Sequence, residues 1–142
     1  MVCIPPAPPV VTVTTFTAAT FTRDYVASCP SGTQPAWRHF EWQATIPTGT
    51  TITFQVQTSP NPVTTPWAPA MAPTLATAAP ASGTGPGTWY RASQTVDQLL
   101  GSQTPALASR NQLRVTITLN PTMTAAPTLH QWRQIYDCMP AE

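Results

Sequence analysis

The sequence predicts an all-β fold, an antiparallel β-sandwich with one short helix. Three observations carry that expectation. Apolar and polar residues alternate strictly in several separate runs; Pro, Gly and Asn punctuate those runs; and only one stretch has helical spacing. Short alternating strands with little helix between them cover each other as two packed sheets. A jelly-roll arrangement of the strands is the more specific expectation.

In chain order, residues 4–9 (Ile-Pro-Pro-Ala-Pro-Pro) lack most backbone donors and read as a polyproline linker over 1–9. One domain then runs from 10 to 142. Val11, Val13 and Thr15 alternate with Thr12, Thr14 and Phe16, and a second Thr-Phe-Thr follows at 20–22. Trp37–Ile46 is the clearest long strand. Simple alternation puts Phe40, Trp42, Ala44 and Ile46 on its inner face, and Trp37, His39, Glu41, Gln43 and Thr45 on its outer face. Pro47-Thr48-Gly49 turns the chain into Thr51–Thr58, with Ile52, Phe54 and Val56 inward and Thr51, Thr53, Gln55 and Gln57 outward.

Residues 59–88 change character to Pro, Ala, Thr and Gly, which predicts a surface excursion with short strands near Pro73–Thr77 and Thr88–Arg91. Ser93–Gly101 is the one helical stretch. Ser93 is its expected N-cap, Val96, Leu99 and Leu100 form its stripe, and Gly101 closes it. Leu113, Val115, Ile117 and Leu119 then alternate inward against Arg114, Thr116 and Thr118. The last strand, Thr128–Cys138, has mixed parity, with Leu129 and Ile135 opposed to Trp132 and Tyr136. Either a bulge reorients it or both of its faces are covered.

Composition narrows the function classes. Charged residues are 8% and hydrophobic residues 42%, so the chain has the apolar material to fold despite its few charges. By surface scaling, a chain of this mass buries roughly two-thirds of its unfolded surface. The net charge is +1, and the six basic residues are all arginine. That is far from the dense basic footprint of a nucleic-acid binder or a polybasic membrane patch. No apolar run approaches the length of a transmembrane helix, about 18 residues. Residues 1–6 have neither the basic nor the apolar region of a signal peptide, so an export signal is expected elsewhere in a longer precursor.

The three cysteines, Cys3, Cys29 and Cys138, form no C-x-x-C pair, and with two histidines they make no zinc spacing. They are either buried thiols or include a disulfide. Cys29 and Cys138 each sit beside a strand end, which favours a bond between them and leaves Cys3 free or paired elsewhere. Such a bond would close a loop of about 110 residues and stabilise the fold by roughly 4–5 kcal/mol.

His39 and His130 have no nucleophile elbow beside them. A glycosidase needs two carboxylates across a cleft. Here Asp24 follows Arg23, Asp137 lies four residues after Arg133, Asp97 falls on the exposed side of the helix, and Glu142 is the last residue. Glu41 alone is expected to be a free acid, and one acid is not a pair. No D-x-D-x-D calcium loop or phosphate-cradling Gly motif occurs. No cofactor is expected, although calcium ligation by loop carbonyls stays open. The chain therefore reads as a non-enzyme.

Two aromatic groups are candidate ligand platforms: Trp37 with His39 and Glu41, and Trp67 with Trp89, Tyr90 and Arg91. In each, the plainer alternative is a Trp folded over sheet to cover core.

The runs Tyr25…Cys29-Pro30-Ser31-Gly32-Thr33, Pro35-x-Trp37-Arg38-x-Phe40-x-Trp42, Ile52-x-Phe54-x-x-Gln57-Thr58, Leu113-Arg114-Val115-Thr116 and Ala126-Pro127-Thr128-Leu129-x-x-Trp132-Arg133…Tyr136-Asp137-Cys138 carry a resemblance. Residues 20–142, apart from the poorly matched 59–88, resemble β-sandwich modules of large delta-proteobacterial surface proteins. These include tip-associated adhesins of type IV pili and proteins with von Willebrand A domains. The ending also looks like galactose-binding-like jelly rolls, whose ligands sit on loops at one end. The resemblance implies an exported module at the cell surface, a Cys29–Cys138 bond, and a role in adhesion or in spacing adhesive domains. Its partners would be other domains of a larger surface protein or a pilus, and in a second reading a glycan. A third reading makes the chain a structural subunit of an extracellular filament or virion coat, with the Thr-rich 10–22 segment donating a strand to a neighbour.

Overall fold

A computed structural model describes residues 17–60, 67–103 and 105–140. The expected polyproline linker, the Val10–Phe16 alternation and Cys3 lie outside them. The described residues form an all-β sandwich of seven strands and one α-helix. The strands are β1 (Ala19–Val26), β2 (Thr33–Thr45), β3 (Thr51–Ser59), β4 (Thr74–Ala78), β5 (Tyr90–Arg91), β6 (Gln112–Asn120) and β7 (Thr128–Pro140), and the helix is α1 (Val96–Gln103). All strand pairs are antiparallel. One sheet has the order β1-β6-β3-β4 and the other β5-β2-β7. An eight-stranded jelly roll would set four strands against four; here four face three.

The core lies where β2 crosses over β3. Phe54 meets Phe40 at 4.7 Å and Trp42 at 5.0 Å between ring centroids. The inward rows expected for β3 (Ile52, Phe54, Val56) and for the start of β6 (Leu113, Val115, Ile117) are all fully buried. Burying one such side chain contributes about 1.5–3 kcal/mol, so these two rows hold the wider sheet to its partner.

β2 departs from simple alternation. Trp37 pairs with Tyr136 and Phe40 with Gln134, so Arg38 and His39 oppose the single residue Ile135. This bulge turns Trp37 to the same side as Phe40, and its ring is buried against Tyr136 at 5.3 Å. The carbonyl freed at Arg38 accepts a bond from the Gln134 Nε2 at 2.9 Å. A second shift lies between Gln43–Gln131 and Ala44–Leu129, with His130 as the extra residue of β7. It brings Leu129 to the core side with Trp132 and Tyr136, while Ile135 stays 38% exposed. The mixed parity of the last strand is thus resolved by a bulge.

The helix starts later than expected. Thr95, not Ser93, is the cap: its hydroxyl accepts the Gln98 N–H at 3.2 Å while the Gln98 side chain accepts the Thr95 N–H at 2.8 Å. This reciprocal capping box outcompetes a serine that lacks the matching Gln or Glu three residues on. Gly101 accordingly lies inside the helix. Val96 and Leu100 are buried and α1 packs on β2.

The excursion is less loose than its composition suggests. β4 and β5 form close to the two expected places. Gln55 and Gln57 point outward, as expected, and tie the excursion down by donating to the carbonyls of Ala72 at 3.1 Å and Pro69 at 2.8 Å. Gly83 is buried over Ile46, where a Cβ would come within 2.3 Å of the isoleucine side chain. Cys29 and Cys138 form a disulfide, 109 residues apart in sequence, which joins the end of β1 to the end of β7.

Candidate binding surfaces

Three surfaces concentrate polar chemistry or exposed apolar area. The first is the outer face of the three-stranded sheet. Glu41 is 3% exposed there, and its two carboxylate oxygens accept from Arg91 at 2.7 Å and Arg133 at 2.5 Å. Burial pushes its carboxyl up, but the hydrogen bonds and charges of Arg133 and Arg91 outweigh burial and hold it below the usual range. Arg133 also stacks on the Trp89 ring at 3.9 Å. Gln43 accepts the Gly87 N–H at 2.8 Å, and the His39 Nδ1 lies 3.2 Å from the Ala92 carbonyl oxygen. The end of the excursion is therefore folded down over the outer face of β2.

The second surface repeats this arrangement on the other sheet. Arg114 makes a two-pronged pair with Asp24, at 2.8 and 3.1 Å, and stacks on Trp67 at 4.3 Å. The hydrogen bond and charge of Asp24 raise the guanidinium's pKa above its usual value against a lesser opposing effect of burial. Each sheet thus carries a Trp laid on an Arg whose charge is held by an acid.

The third is the open flank of the sandwich. β1 ends one sheet and β7 ends the other. Register with β6 turns Phe21, Arg23 and Tyr25 towards the opposite layer, yet β1 is exposed along almost its whole length, because no strand among the described residues faces it. Phe21 reaches Trp132 at 6.0 Å between ring centroids. Arg23, Tyr25, Gln131, Trp132, Arg133 and Gln134 line a groove of about 450 Å³ along this flank. Burial in its wall raises the Tyr25 phenol above its ordinary pKa, a shift partly offset by the Arg23 charge.

Several sequence-based expectations are corrected by these positions. Trp37 is a core residue and no platform, because the bulge after it reverses its face. His39 is half-buried, and Glu41 is the most enclosed acid of the described residues, where the sequence suggested a free one. Asp97 is not on an open helix face but pairs with Arg38 at 3.0 Å. Asp137 pairs with Arg38 at 2.9 Å and not with Arg133, and Asp24 pairs with Arg114 and not with its neighbour Arg23. Trp89, Tyr90 and Arg91 do cluster: Tyr90 bonds Thr84 at 2.6 Å and Arg91 holds Glu41. Trp67 is on the opposite sheet from them, so the two tryptophans do not form one site. The flank was missed. Its one sequence signal is Arg23 between Phe21 and Tyr25, a charge in an otherwise inward row.

Among the described residues, no cluster of three or more His, Cys, Asp or Glu side chains could hold a metal ion, and no helix is long and apolar enough to cross a membrane. Compared with protein-family models, curated proteins and solved structures, the chain matches none.

Proposed function

We propose that this chain is a non-catalytic, extracellular module of a cell-surface or pilus-associated adhesin, acting in binding or in spacing, and that it makes contact through the β1–β7 flank. The observation that carries the reading is how its polar groups are used. Each of the four described carboxylates is held by an arginine: Asp24 by Arg114, Glu41 by Arg91 and Arg133, and Asp97 and Asp137 by Arg38. Acids held this way have their geometry fixed, which suits architecture better than proton transfer. Among the described residues, β1 and β7 each end a sheet on this flank, and such edges recruit polypeptide.

The disulfide supports the extracellular part, since such bonds persist in oxidising compartments. Peptide mapping of protein recovered from its native cells, with thiols trapped at lysis, tests it. Cys29 and Cys138 are expected as a linked pair, and recovery of both as free thiols would remove the extracellular reading.

A glycan-binding reading draws on Trp67 and Trp89, each half-exposed with an arginine against one ring face. A glycan array run with the native chain and with Trp67→Ala and Trp89→Ala decides it. Binding that both substitutions leave unchanged, or no binding at all, rejects this second reading.

A further inference from the structure

We infer that the β1–β7 flank is an acceptor for an added β-strand, and that the strand it takes is the Val10–Phe16 segment of a second copy of this chain. The inference rests on the module reading above and names its partner. Four observations lead to it.

The layers are unequal on this side. β2 lies over β3, so β7 lies over β6 and, among the described residues, no strand faces β1. A strand laid along the free edge of β7 would make four strands face four and would cover Phe21, Arg23 and Tyr25.

Apolar area faces the open side as well. Phe21, 38% exposed, turns towards it together with the part-buried Tyr25 and Trp132, and an apolar row along an open edge suits strand addition.

The segment fits the flank. Val10–Phe16 alternates, with Val11, Val13 and Thr15 on one side. Its seven residues span about 23 Å when extended, comparable to β1. Valines suit the apolar Phe21 and Trp132, and a Thr hydroxyl and strand carbonyls are the kind of acceptor that Arg23 in the groove would take. That arginine would exclude a strand that is apolar throughout or basic. The segment has neither property.

The donor is a neighbour because the same chain is poorly placed to supply it. Val10–Phe16 directly precedes β1, which belongs to the other sheet, so filling its own flank requires Thr17-Ala18 to cross the roughly 10 Å between the layers while reversing the chain. The three steps from Phe16 to Ala19 reach at most about 11 Å when fully extended, which leaves nothing for the reversal. Donation to a neighbour instead makes a heterologous contact. Each copy accepts on one flank and donates by its arm, and the contact repeats as an open series.

The test is sedimentation velocity on the intact, oxidised chain over a wide concentration range. Concentration-dependent growth beyond the dimer is expected. Val13→Pro, which removes a ladder donor from the arm and lies outside the seven strands, is expected to weaken association at least tenfold. Trp132→Ala is expected to do the same from the acceptor side. Mixing the two variants should then restore one contact, between the arm of the Trp132→Ala chain and the flank of the Val13→Pro chain, and give heterodimers and nothing larger. Should Trp132→Ala fail to fold, a peptide spanning residues 9–17 replaces it and should dissociate the native assembly. A native chain that stays monomeric throughout overturns the proposal, as does association that Val13→Pro leaves unchanged. Either outcome leaves the module reading standing with some other partner. Free Cys29 and Cys138 in native material would strike that reading and leave this result untouched.

Discussion

Glu41 shows how much one side chain can organise. It is buried on the outer side of a strand whose inner side carries Phe40 and Trp42, so β2 is covered on both faces at its centre. Its partners are not equally enclosed: Arg91 and Arg133 are each more than half exposed. Removing the acid leaves two arginines that can rehydrate, whereas removing both arginines strands a buried charge. Glu41→Gln is therefore expected to cost about 1–2 kcal/mol, and Arg91→Ala with Arg133→Ala about 3–5 kcal/mol. Chemical denaturation of the variants measures the order, and an equal or inverted order would contradict the buried-charge argument. The pH dependence follows from the direction of the shift. A carboxyl held below its unfolded value contributes stability that is complete above about pH 4.3, and that stability is lost as pH falls through the lower folded value. The native chain should lose stability more steeply below about pH 4 than Glu41→Gln does. This role was not legible in the sequence. Arg91 and Arg133 are 50 and 92 residues from Glu41, and only the sheet brings them together.

At the scale of elements, β3 and β6 were legible because each pairs on both edges within one sheet and buries one face, so alternation alone sorts their side chains. β2 and β7 were legible as strands but not in their facing. Their bulges are properties of the pair, and a one-residue slip exchanges the two faces. The excursion was legible as irregular backbone, yet its attachment depends on close approach. The Ile46 N–H donates to the Gly83 carbonyl oxygen at 2.9 Å, with the Ile46 side chain directly beneath the glycine. Gly83→Ala is expected to destabilise the chain by about 1–3 kcal/mol through overpacking. In an Ile46→Ala background the same change should cost less, because the clashing side chain is gone. A thermal double-mutant cycle reads the difference, and strict additivity would show that Ile46 is not the obstacle. The helix start offers a simpler case: Thr95→Ala removes the capping box and should cost about 1 kcal/mol, while Ser93→Ala should change little.

Across the whole molecule, the disulfide and the open flank act on the same two strands. Cys29–Cys138 fastens the ends of β1 and β7, which belong to different sheets, and the Ser28 N–H donates to the Tyr136 hydroxyl at 3.1 Å beside it. Further back along both strands, the edges diverge into the groove. Cys29→Ser with Cys138→Ser is expected to lower stability by about 4–5 kcal/mol, the cost of freeing a loop of this length. Comparing denaturant midpoints of oxidised, reduced and substituted chains measures it. A loss well under 2 kcal/mol would mean that the sheets are held by their core alone.

By itself the sequence determined the class of fold, the inward rows of β3 and β6 and the single helix, and it favoured, without fixing, a bond between Cys29 and Cys138. The first three follow from local periodicity and turn chemistry, which a short window of residues contains. Tertiary structure alone decided that Trp37 faces the core, that every described acid is held by a distant arginine, and that the described strands leave β1 uncovered. The physical reason is common to all three. A strand's facing, an ion pair across a sheet and the width of a layer are set by partners far away in the chain, and alternation carries no record of which partner arrives.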